Sequence, residues 1–161
     1  MATRKPLVII DGQLQECPAG DTLATASSEV DVVAKTNDGA GSVTIGSPVY
    51  VKANGNVDKA SAAASGSRKV LGLVKDASIA ASASGYIQTD GVLSATTGEW
   101  DAVTGDTGGL TPGADYFLST TAGQLTTTPP SGSGQYVMKV GMAISTTEFE
   151  IDTDRGGVLL A

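Results

Sequence analysis

Three pairs of carboxylates at alternate positions have the residue types and the spacing that could do chemistry. They are Glu99/Asp101, Glu148/Glu150 and Asp152/Asp154. In a β-strand, residues two positions apart lie on one face, so such a pair could hold Ca²⁺ or share acid–base work. A solvated strand face or loop is the favoured alternative, because no segment has the ligand density of a calcium-binding loop. The sequence therefore predicts no metal site and no cofactor.

The rest of the catalytic repertoire is missing from the sequence. There is no histidine, which is the commonest general base and transition-metal ligand. Cys17 is the only cysteine, so neither a Cys–His nucleophile nor an intramolecular disulfide can form, and we expect its thiol to be a small apolar contact. The glycines form no phosphate-binding pattern. We therefore predict no catalytic residues and a protein that is not an enzyme.

Composition indicates a β-rich protein with many turns. Of the 161 residues 21 are glycine and only 17% are charged, against about 25% in a typical soluble domain. The net charge of −7 disfavours nucleic acid as a partner, because an acidic surface repels phosphates. No stretch approaches the roughly 20 apolar residues of a membrane span, so we expect no membrane partner. The apolar run at 7–10 is too short for a signal peptide, and we expect synthesis in the cytoplasm of the host.

Short alternating segments separated by turn residues predict an all-β fold, either a small β-barrel or a sandwich. Asn54-Gly55 is a strong hairpin signal between a strand in 43–52 and a return strand in 56–60. Pro48 lies inside the first of these strands. It suggests an edge position or the start of a strand, because proline cannot donate a backbone hydrogen bond.

The remaining segments also alternate or are continuously apolar. Strands are expected at 68–76, at 86–96 with an interruption at Asp90-Gly91, and at 135–145. Residues 97–109 are expected to form a loop anchored by Trp100, because no segment of ten residues has a credible helical apolar face.

A phrase from the first half of the chain returns in the second half. Residues 46–60 and 113–127 both run from a glycine through alternating apolar side chains, a polar turn with glycine and a second short strand. An apolar strand that contains a glycine follows each of them, with Gly72 in the first case and Gly141 in the second. The pattern indicates a β unit used twice, although hairpins with similar turn residues can also look alike by chance.

A glycine inside an apolar strand needs its own reason, because it costs about 0.5–1 kcal/mol relative to alanine. Such a glycine often marks a bulge, a sharp bend or a close backbone approach. We therefore predict that Gly72 and Gly141 are structural glycines at corners of a barrel.

The chain divides into an arm, a body and a tail. Residues 1–29 are expected to form an extended N-terminal arm, in which Asp11-Gly12 favours a hairpin over 7–16 and a bent extended segment is the alternative. Residues 30–152 are expected to form the barrel or sandwich domain, and 153–161 a C-terminal tail. Because the arm has few large apolar side chains beyond its hairpin, we expect it to lie against a neighbour.

Several phrases resemble small virion proteins of tailed bacteriophages. The series GSPVYV, NVDKA, KVLGLV, GYIQTDGVL, GLTPGADYFLS, GQLTTTPP and YVMKVGMAIS is similar in order to the capsid decoration (cement) proteins of lambda-type heads, which have a β-tulip-like fold. This similarity covers about residues 43–152. The phrase QLQECPAGDTL also resembles one found near the N-termini of phage head and tail appendages, with Cys17 where Leu is commoner.

The resemblance implies a structural role in the virion, on the outer surface of the capsid. Decoration proteins bind the major capsid protein, often as homotrimers, and stabilise the head because they bind only the assembled lattice. By this resemblance the arm contacts the capsid or a neighbouring subunit. The residues expected to be buried in that contact are Leu7, Val8, Ile9, Leu14, Pro18 and Leu23.

A tail-fibre or receptor-binding appendage that recognises a host surface glycan is the alternative function. Fibres usually have long repetitive shafts, and this chain has none. Carbohydrate sites also favour exposed aromatic side chains, which are few here.

Overall fold

The all-β class predicted from the sequence is confirmed by a computed structural model of the chain, which describes residues 7–10, 13–16, 31–153 and 156–160. Most of the regular structure is β-strand, and the described residues contain one short helix. Two five-stranded antiparallel sheets account for most of it. None of the helical structure described is long and apolar enough to cross a membrane.

The first sheet is built from the first half of the body. Its strands are β3 (Val32–Thr36), β5 (Pro48–Val51), β6 (Val57–Lys59), β7 (Val70–Val74) and β9 (Ser84–Gln88). Their order across the sheet is β3-β9-β7-β5-β6, and a small two-stranded sheet pairs β4 (Val43–Thr44) with β8 (Ser78–Ile79). The Asn54-Gly55 hairpin is confirmed, with the Gly55 N–H donating to the Lys52 carbonyl at 2.9 Å.

Pro48 is the first residue of β5, as one of the two sequence interpretations has it. The other interpretation, an edge position, is wrong because β5 lies between β6 and β7. A proline at a strand start can lie inside a sheet when its missing N–H is not needed for the ladder.

The second sheet is built from the second half of the body. Its strands are β10 (Gly91–Ser94), β11 (Asp115–Leu118), β12 (Leu125–Thr126), β14 (Lys139–Ala143) and β15 (Glu148–Ile151). Their order is β10-β15-β14-β11-β12. A further two-stranded sheet pairs β13 (Tyr136–Val137) with β16 (Val158–Leu159).

Two of the segments predicted as strands are divided between sheets: the interruption predicted at Asp90-Gly91 is confirmed, whereas the single long strand predicted over 135–145 is wrong. Residues 86–96 break at Asp90-Gly91, where the Asp90 carboxylate accepts from the Gly91 N–H at 2.8 Å, so β9 and β10 lie in different sheets. Residues 135–145 break at Met138, whose buried side chain enters the core between β13 and β14. Local alternation predicts a strand but does not say where it changes sheet.

The two sheets are repeats of one five-stranded unit. We call β3 to β9 the first unit and β10 to β15 the second unit. Strand for strand, β3-β9-β7-β5-β6 corresponds to β10-β15-β14-β11-β12. The registers also agree: Val33 pairs with Ile87 as Leu93 pairs with Phe149. The duplication indicated by the sequence is therefore confirmed, and it extends beyond the hairpin and glycine strand that the sequence indicated.

Both structural glycines lie at β-bulges, as predicted. In the first unit the register shifts after the pair Val49↔Gly72, and in the second it shifts after Tyr116↔Gly141. A Cβ on Gly72 would collide with the backbone carbonyl of Gln88, and a Cβ on Gly141 with that of Glu150. Close approach of a neighbouring strand therefore excludes a side chain at both positions.

The predicted barrel is wrong, because neither five-stranded sheet closes, and the two glycines are consequently not barrel corners. In the first unit the two edges meet at a single bridge, Asn37↔Val57, with the Asp38 N–H donating to the Val57 carbonyl at 2.8 Å. Val57 is the first of the three residues of β6, and among the described pairings no other joins β6 to β3.

The predicted loop at 97–109 contains a helix, α1 (Thr97–Thr104), so that part of the prediction is wrong. Thr96 caps the helix: its hydroxyl accepts from the Glu99 N–H, and the Glu99 carboxylate accepts from the Thr96 N–H. Gly105, in the left-handed conformation, ends it. Helix α1 contacts β12 on the open side of the second sheet. The anchoring role of Trp100 is confirmed, because its side chain is fully buried.

Equivalent positions of the two units build two hydrophobic cores. The smaller core lies in the first unit and contains Val43, Val49, Val57, Val74, Ile79 and Ile87. Five of these have equivalents in the larger core, namely Leu110, Tyr116, Leu125, Ala143 and Phe149. The larger core also takes Val70 and Leu73 from β7 of the first unit, so the units share part of their interior.

Candidate functional site

The carboxylates of helix α1 have structural roles. The Glu99 carboxylate accepts from both the backbone N–H and the hydroxyl of Thr96, each at 2.7 Å, and these bonds hold the pKa of Glu99 below its ordinary value. The Asp101 carboxylate accepts from the N–H groups of Gly108 at 3.1 Å and Gly109 at 2.6 Å. This pair therefore caps the helix and the following loop and leaves no free acid–base couple.

The carboxylates of β15 lie on a solvated strand face. Glu148 and Glu150 are exposed, as is Asp152 just after the strand. The Lys139 ammonium lies 2.9 Å from Asp115 Oδ1 and 3.9 Å from Asp152 Oδ2, and the hydrogen bond with Asp115 raises the pKa of Lys139. This arrangement matches the solvated alternative in the sequence prediction. Asp154, the last member of the three pairs, lies outside the described residues.

Three aspartates border an open depression where the chain passes from the first unit to the second. The depression has a volume of about 360 Å³. It is lined by Asp31, Asp90 and Asp152, together with Thr89 and the end of β15. Within the described part of the chain, however, no three acidic or cysteine side chains converge closely enough to hold a metal ion.

The N-terminal strands form a hairpin, which is the favoured sequence interpretation of residues 7–16. Strand β1 (Leu7–Ile10) pairs antiparallel with β2 (Gln13–Glu16), and Ile9 is the register partner of Leu14. Among the strands described, these two pair only with each other. An isolated two-stranded hairpin is only marginally stable in water.

The predicted arm residues fall into two groups. Leu7, Val8, Ile9 and Leu14 belong to the paired strands β1 and β2. Pro18 and Leu23, like the Asp11-Gly12 turn, lie outside the described residues. The predicted burial of these side chains in a contact with a neighbour stays a prediction.

Backbone hydrogen bonds join the two units through a turn of the second unit. The Ala62 N–H donates to the Ser119 carbonyl at 2.9 Å, and the Gly123 N–H donates to the Ala60 carbonyl at 2.8 Å. The Ser61 hydroxyl adds a third bond, to the Thr120 carbonyl at 2.8 Å. The units are thus joined by hydrogen bonds as well as by the shared core.

The corresponding face of the second unit is polar. Val70 and Leu73 of the first unit are buried in the shared core, whereas their equivalents Lys139 and Met142 are only half-buried. Gln88, which is also buried, corresponds to the exposed Glu150. The face of the first unit is therefore buried in the shared core, whereas the equivalent face of the second unit carries Lys139 and Glu150 and meets solvent.

The C-terminal segment is an element that the sequence did not predict. Residues 153–161 are expected to be a tail, yet β16 pairs with β13, and the Leu160 N–H donates to the Gln135 carbonyl at 2.9 Å. The Arg68 guanidinium stacks 4.3 Å from the centre of the Tyr136 ring. The alternation in GGVLLA is too short to predict a strand, so no sequence signal reveals this pairing.

The helix, by contrast, did leave a signal in the sequence. Thr96 followed by Glu99 is a capping-box pattern, and Gly105 is a helix-ending glycine. These residues predict both ends of a short helix even where no apolar stripe is present.

No known family model matches the chain, and no curated protein matches it. The resemblance to decoration proteins therefore rests on the sequence phrases alone and stays a prediction.

Proposed function

We propose that the protein is a structural component of a tailed-bacteriophage virion, a decoration protein that binds the outer surface of the capsid and stabilises the head. The observation that carries the proposal is the N-terminal hairpin. Strands β1 and β2 pair only with each other among the described strands. A hairpin with the apolar run Leu7–Ile10 is better explained as a segment that a partner covers than as one stable by itself.

The body supports the same proposal. Its two units share a core and several backbone hydrogen bonds, which makes it a compact platform from which a hairpin can reach a partner. The carboxylates that could have done chemistry are used in capping or face solvent. These features fit a protein that works by binding.

The mechanism is binding linkage. A protein that binds the assembled lattice and not the free capsid subunits stabilises the lattice by mass action, in proportion to the logarithm of its free concentration over Kd. The major capsid protein is the proposed partner. In this mechanism the hairpin strands add to a strand of the capsid protein or lie in a groove of it.

The first experiment counts copies of the chain per virion against the major capsid protein, by quantitative protein staining of purified particles. A number comparable with that of the capsid protein supports a coat on the head. A number far below it places the chain on the tail or a single vertex and favours the glycan-recognising appendage. Absence from particles contradicts both.

A second experiment tests the role of the hairpin in binding to empty capsid shells. Ile9→Asp places a charge in β1, and we expect binding to weaken by at least about tenfold, because a charge at a buried apolar contact must be desolvated. The matched control is Ile144→Asp, since Ile144 is an exposed isoleucine of the body. Equal binding by both variants and the unchanged protein would show that the hairpin is not the contact.

A further inference from the structure

The C-terminal strand β16 presents an apolar and uncharged edge to solvent. Val158 is 63% exposed and Leu159 is 57% exposed, the two most exposed large apolar side chains among the described residues. Residues 156–160 contain no charged side chain. Exposed apolar side chains on a strand edge are typical of an interaction surface.

The edge is held in an extended shape although its side chains are not buried. The Gly134 N–H donates to the Leu160 carbonyl at 2.9 Å, in addition to the pairing of β16 with β13. The Arg68 guanidinium stacks on Tyr136 and donates to the Gly156 carbonyl at 3.3 Å. A strand ordered in advance loses less conformational entropy when it binds, which favours association.

The free backbone groups of β16 belong to Leu159. The Leu160 N–H donates to the Gln135 carbonyl, so these two residues occupy a hydrogen-bonding position of the ladder. In an antiparallel ladder such pairs alternate, so the next pair, Tyr136↔Leu159, is not hydrogen-bonded. The N–H and C=O of Leu159 therefore point away from β13, and no other described strand pairs with that side.

The edges of the two large sheets are blocked by charge or by proline. Lys35 of β3 donates across its edge to the Gly55 carbonyl, and Asp58 and Lys59 lie on β6. Strand β10 lies beside the exposed Glu148 and Glu150, and two prolines follow shortly after β12. Such features prevent edge-to-edge pairing, and β16 has none of them.

We propose that β16 pairs with β16 of a second copy of this chain, antiparallel and centred on Leu159. In that register the Leu159 N–H of each copy meets the Leu159 carbonyl of the other, with their Cα atoms about 5.5 Å apart. Two copies of a chain with net charge −7 repel each other, and an uncharged strand lets them meet with the least repulsion.

The contact is isologous and joins copies in pairs. It is independent of the proposed binding of the hairpin to a capsid. In a trimer held by other surfaces, three β16 strands on one side of the particle would join it to a single second trimer. Loss of the contact then halves the mass whether the smaller species is one chain or such a trimer.

The experiment measures particle mass by sedimentation equilibrium over a range of concentrations. We expect the full-length protein to contain an even number of chains at high concentration. Leu159→Lys puts two like charges opposite each other across the contact, which we expect to raise Kd at least about tenfold and to halve the mass. The same holds for Leu159→Glu. The matched control, Ile144→Lys, changes an exposed isoleucine away from β16 and should keep the mass.

Mixing the two variants makes the test specific to the register. A Leu159→Lys chain and a Leu159→Glu chain place opposite charges face to face, so the mixture should recover the larger particle. Recovery supports the pairing centred on Leu159. The proposal is overturned if the unchanged protein stays at one or three chains at the highest concentration, if Leu159→Lys keeps the larger mass, or if the mixture does not recover it.

Discussion

The two units share a framework but are completed in different ways. In the first unit the edges of the sheet meet at the bridge between Asn37 and Val57. In the second unit the residue equivalent to Asn37 is Thr97, the first residue of α1, and the helix contacts β12 where the bridge would be. One strand framework therefore accepts either a direct bridge or an inserted helix on its open side. The bulge at the glycine is retained in both.

The difference shows which contacts the framework requires and which it leaves open. The paired strands, the bulge and the buried position taken by Val49 in β5 and Tyr116 in β11 are the same in both units. The outward faces of the two sheets differ. The face of the first unit is apolar and packs against the second unit, whereas the equivalent face of the second unit carries charges and meets solvent. A duplicated sheet keeps the residues that set its register and changes the residues that set its neighbours.

The largest expected effect comes from removing the helix anchor. Trp100 is fully buried, its ring centre lies 5.6 Å from that of Phe149, and its indole N–H donates to the Thr147 carbonyl at 3.1 Å. We expect Trp100→Ala to lower the free energy of unfolding by about 3–5 kcal/mol, because it leaves a large cavity and an unpaired carbonyl. Chemical denaturation followed by circular dichroism measures it. A change below about 1 kcal/mol would mean that α1 does not complete the second unit.

The bulges give a matched pair of changes. Gly72→Ala and Gly141→Ala each push a Cβ into a carbonyl of the neighbouring strand, so we expect each to cost about 1–3 kcal/mol, by similar amounts. Gly66→Ala is the control, because a Cβ there meets nothing within 4 Å. Denaturation midpoints compare the three. If one of the two bulge variants is neutral, the bulges are not equivalent in energy.

The turn glycines before β5 and β11 should differ. Gly46 and Gly113 both have a left-handed backbone, with φ of 79° and 77°, and an alanine there is strained by about 1–2 kcal/mol. Only at Gly46 would the new Cβ also collide with a side chain, the ring of Trp100. We therefore expect Gly46→Ala to destabilise more than Gly113→Ala, as measured by thermal unfolding. Equal destabilisation by the two variants would show that the Trp100 indole can move aside without a loss of stability.

The smallest effect is a pH dependence confined to the second unit. Hydrogen bonds from Thr96 keep the pKa of Glu99 below its ordinary value, so the unfolded chain binds the proton more readily than the folded one. The stability that these bonds supply is complete above the ordinary pKa of a glutamate and is lost as the pH falls through the lower pKa of the folded state. The difference in unfolding free energy between the protein and Glu99→Gln should shrink in that range. A constant difference from pH 7 to about pH 3 would contradict it.

Much of the framework was predictable because it depends on local signals. Asn54-Gly55 is a local signal for a hairpin. Gly72 and Gly141 are local signals for bulges, because the neighbouring strand comes so close that it leaves no room for a side chain. The change of sheet at Asp90-Gly91 was not predictable, since alternation looks the same in both sheets. Helix α1 was missed because it buries only Trp100 and Val103, which is too little for an apolar stripe.

The candidate surfaces were harder to predict than the fold. Asp11-Gly12 did indicate a hairpin over 7–16, but such a local signal does not say what the hairpin packs against. The pairing of β16 joins residues more than 20 positions apart through two register pairs, so no local pattern records it. The solvated strand face predicted for Glu148 and Glu150 is confirmed, whereas the capping role of Glu99 was not predicted.

The first and last strands of each unit are neighbours. Val32 is the register partner of Gln88, and Gly91 that of Ile151, so each unit begins and ends at the same place. Only Thr89 and Asp90 connect one unit to the next. A gene segment that encodes one unit can therefore be copied in tandem with two linking codons, and the copy arrives with its ends already positioned. Such an arrangement makes duplication a single genetic step that needs no new fold.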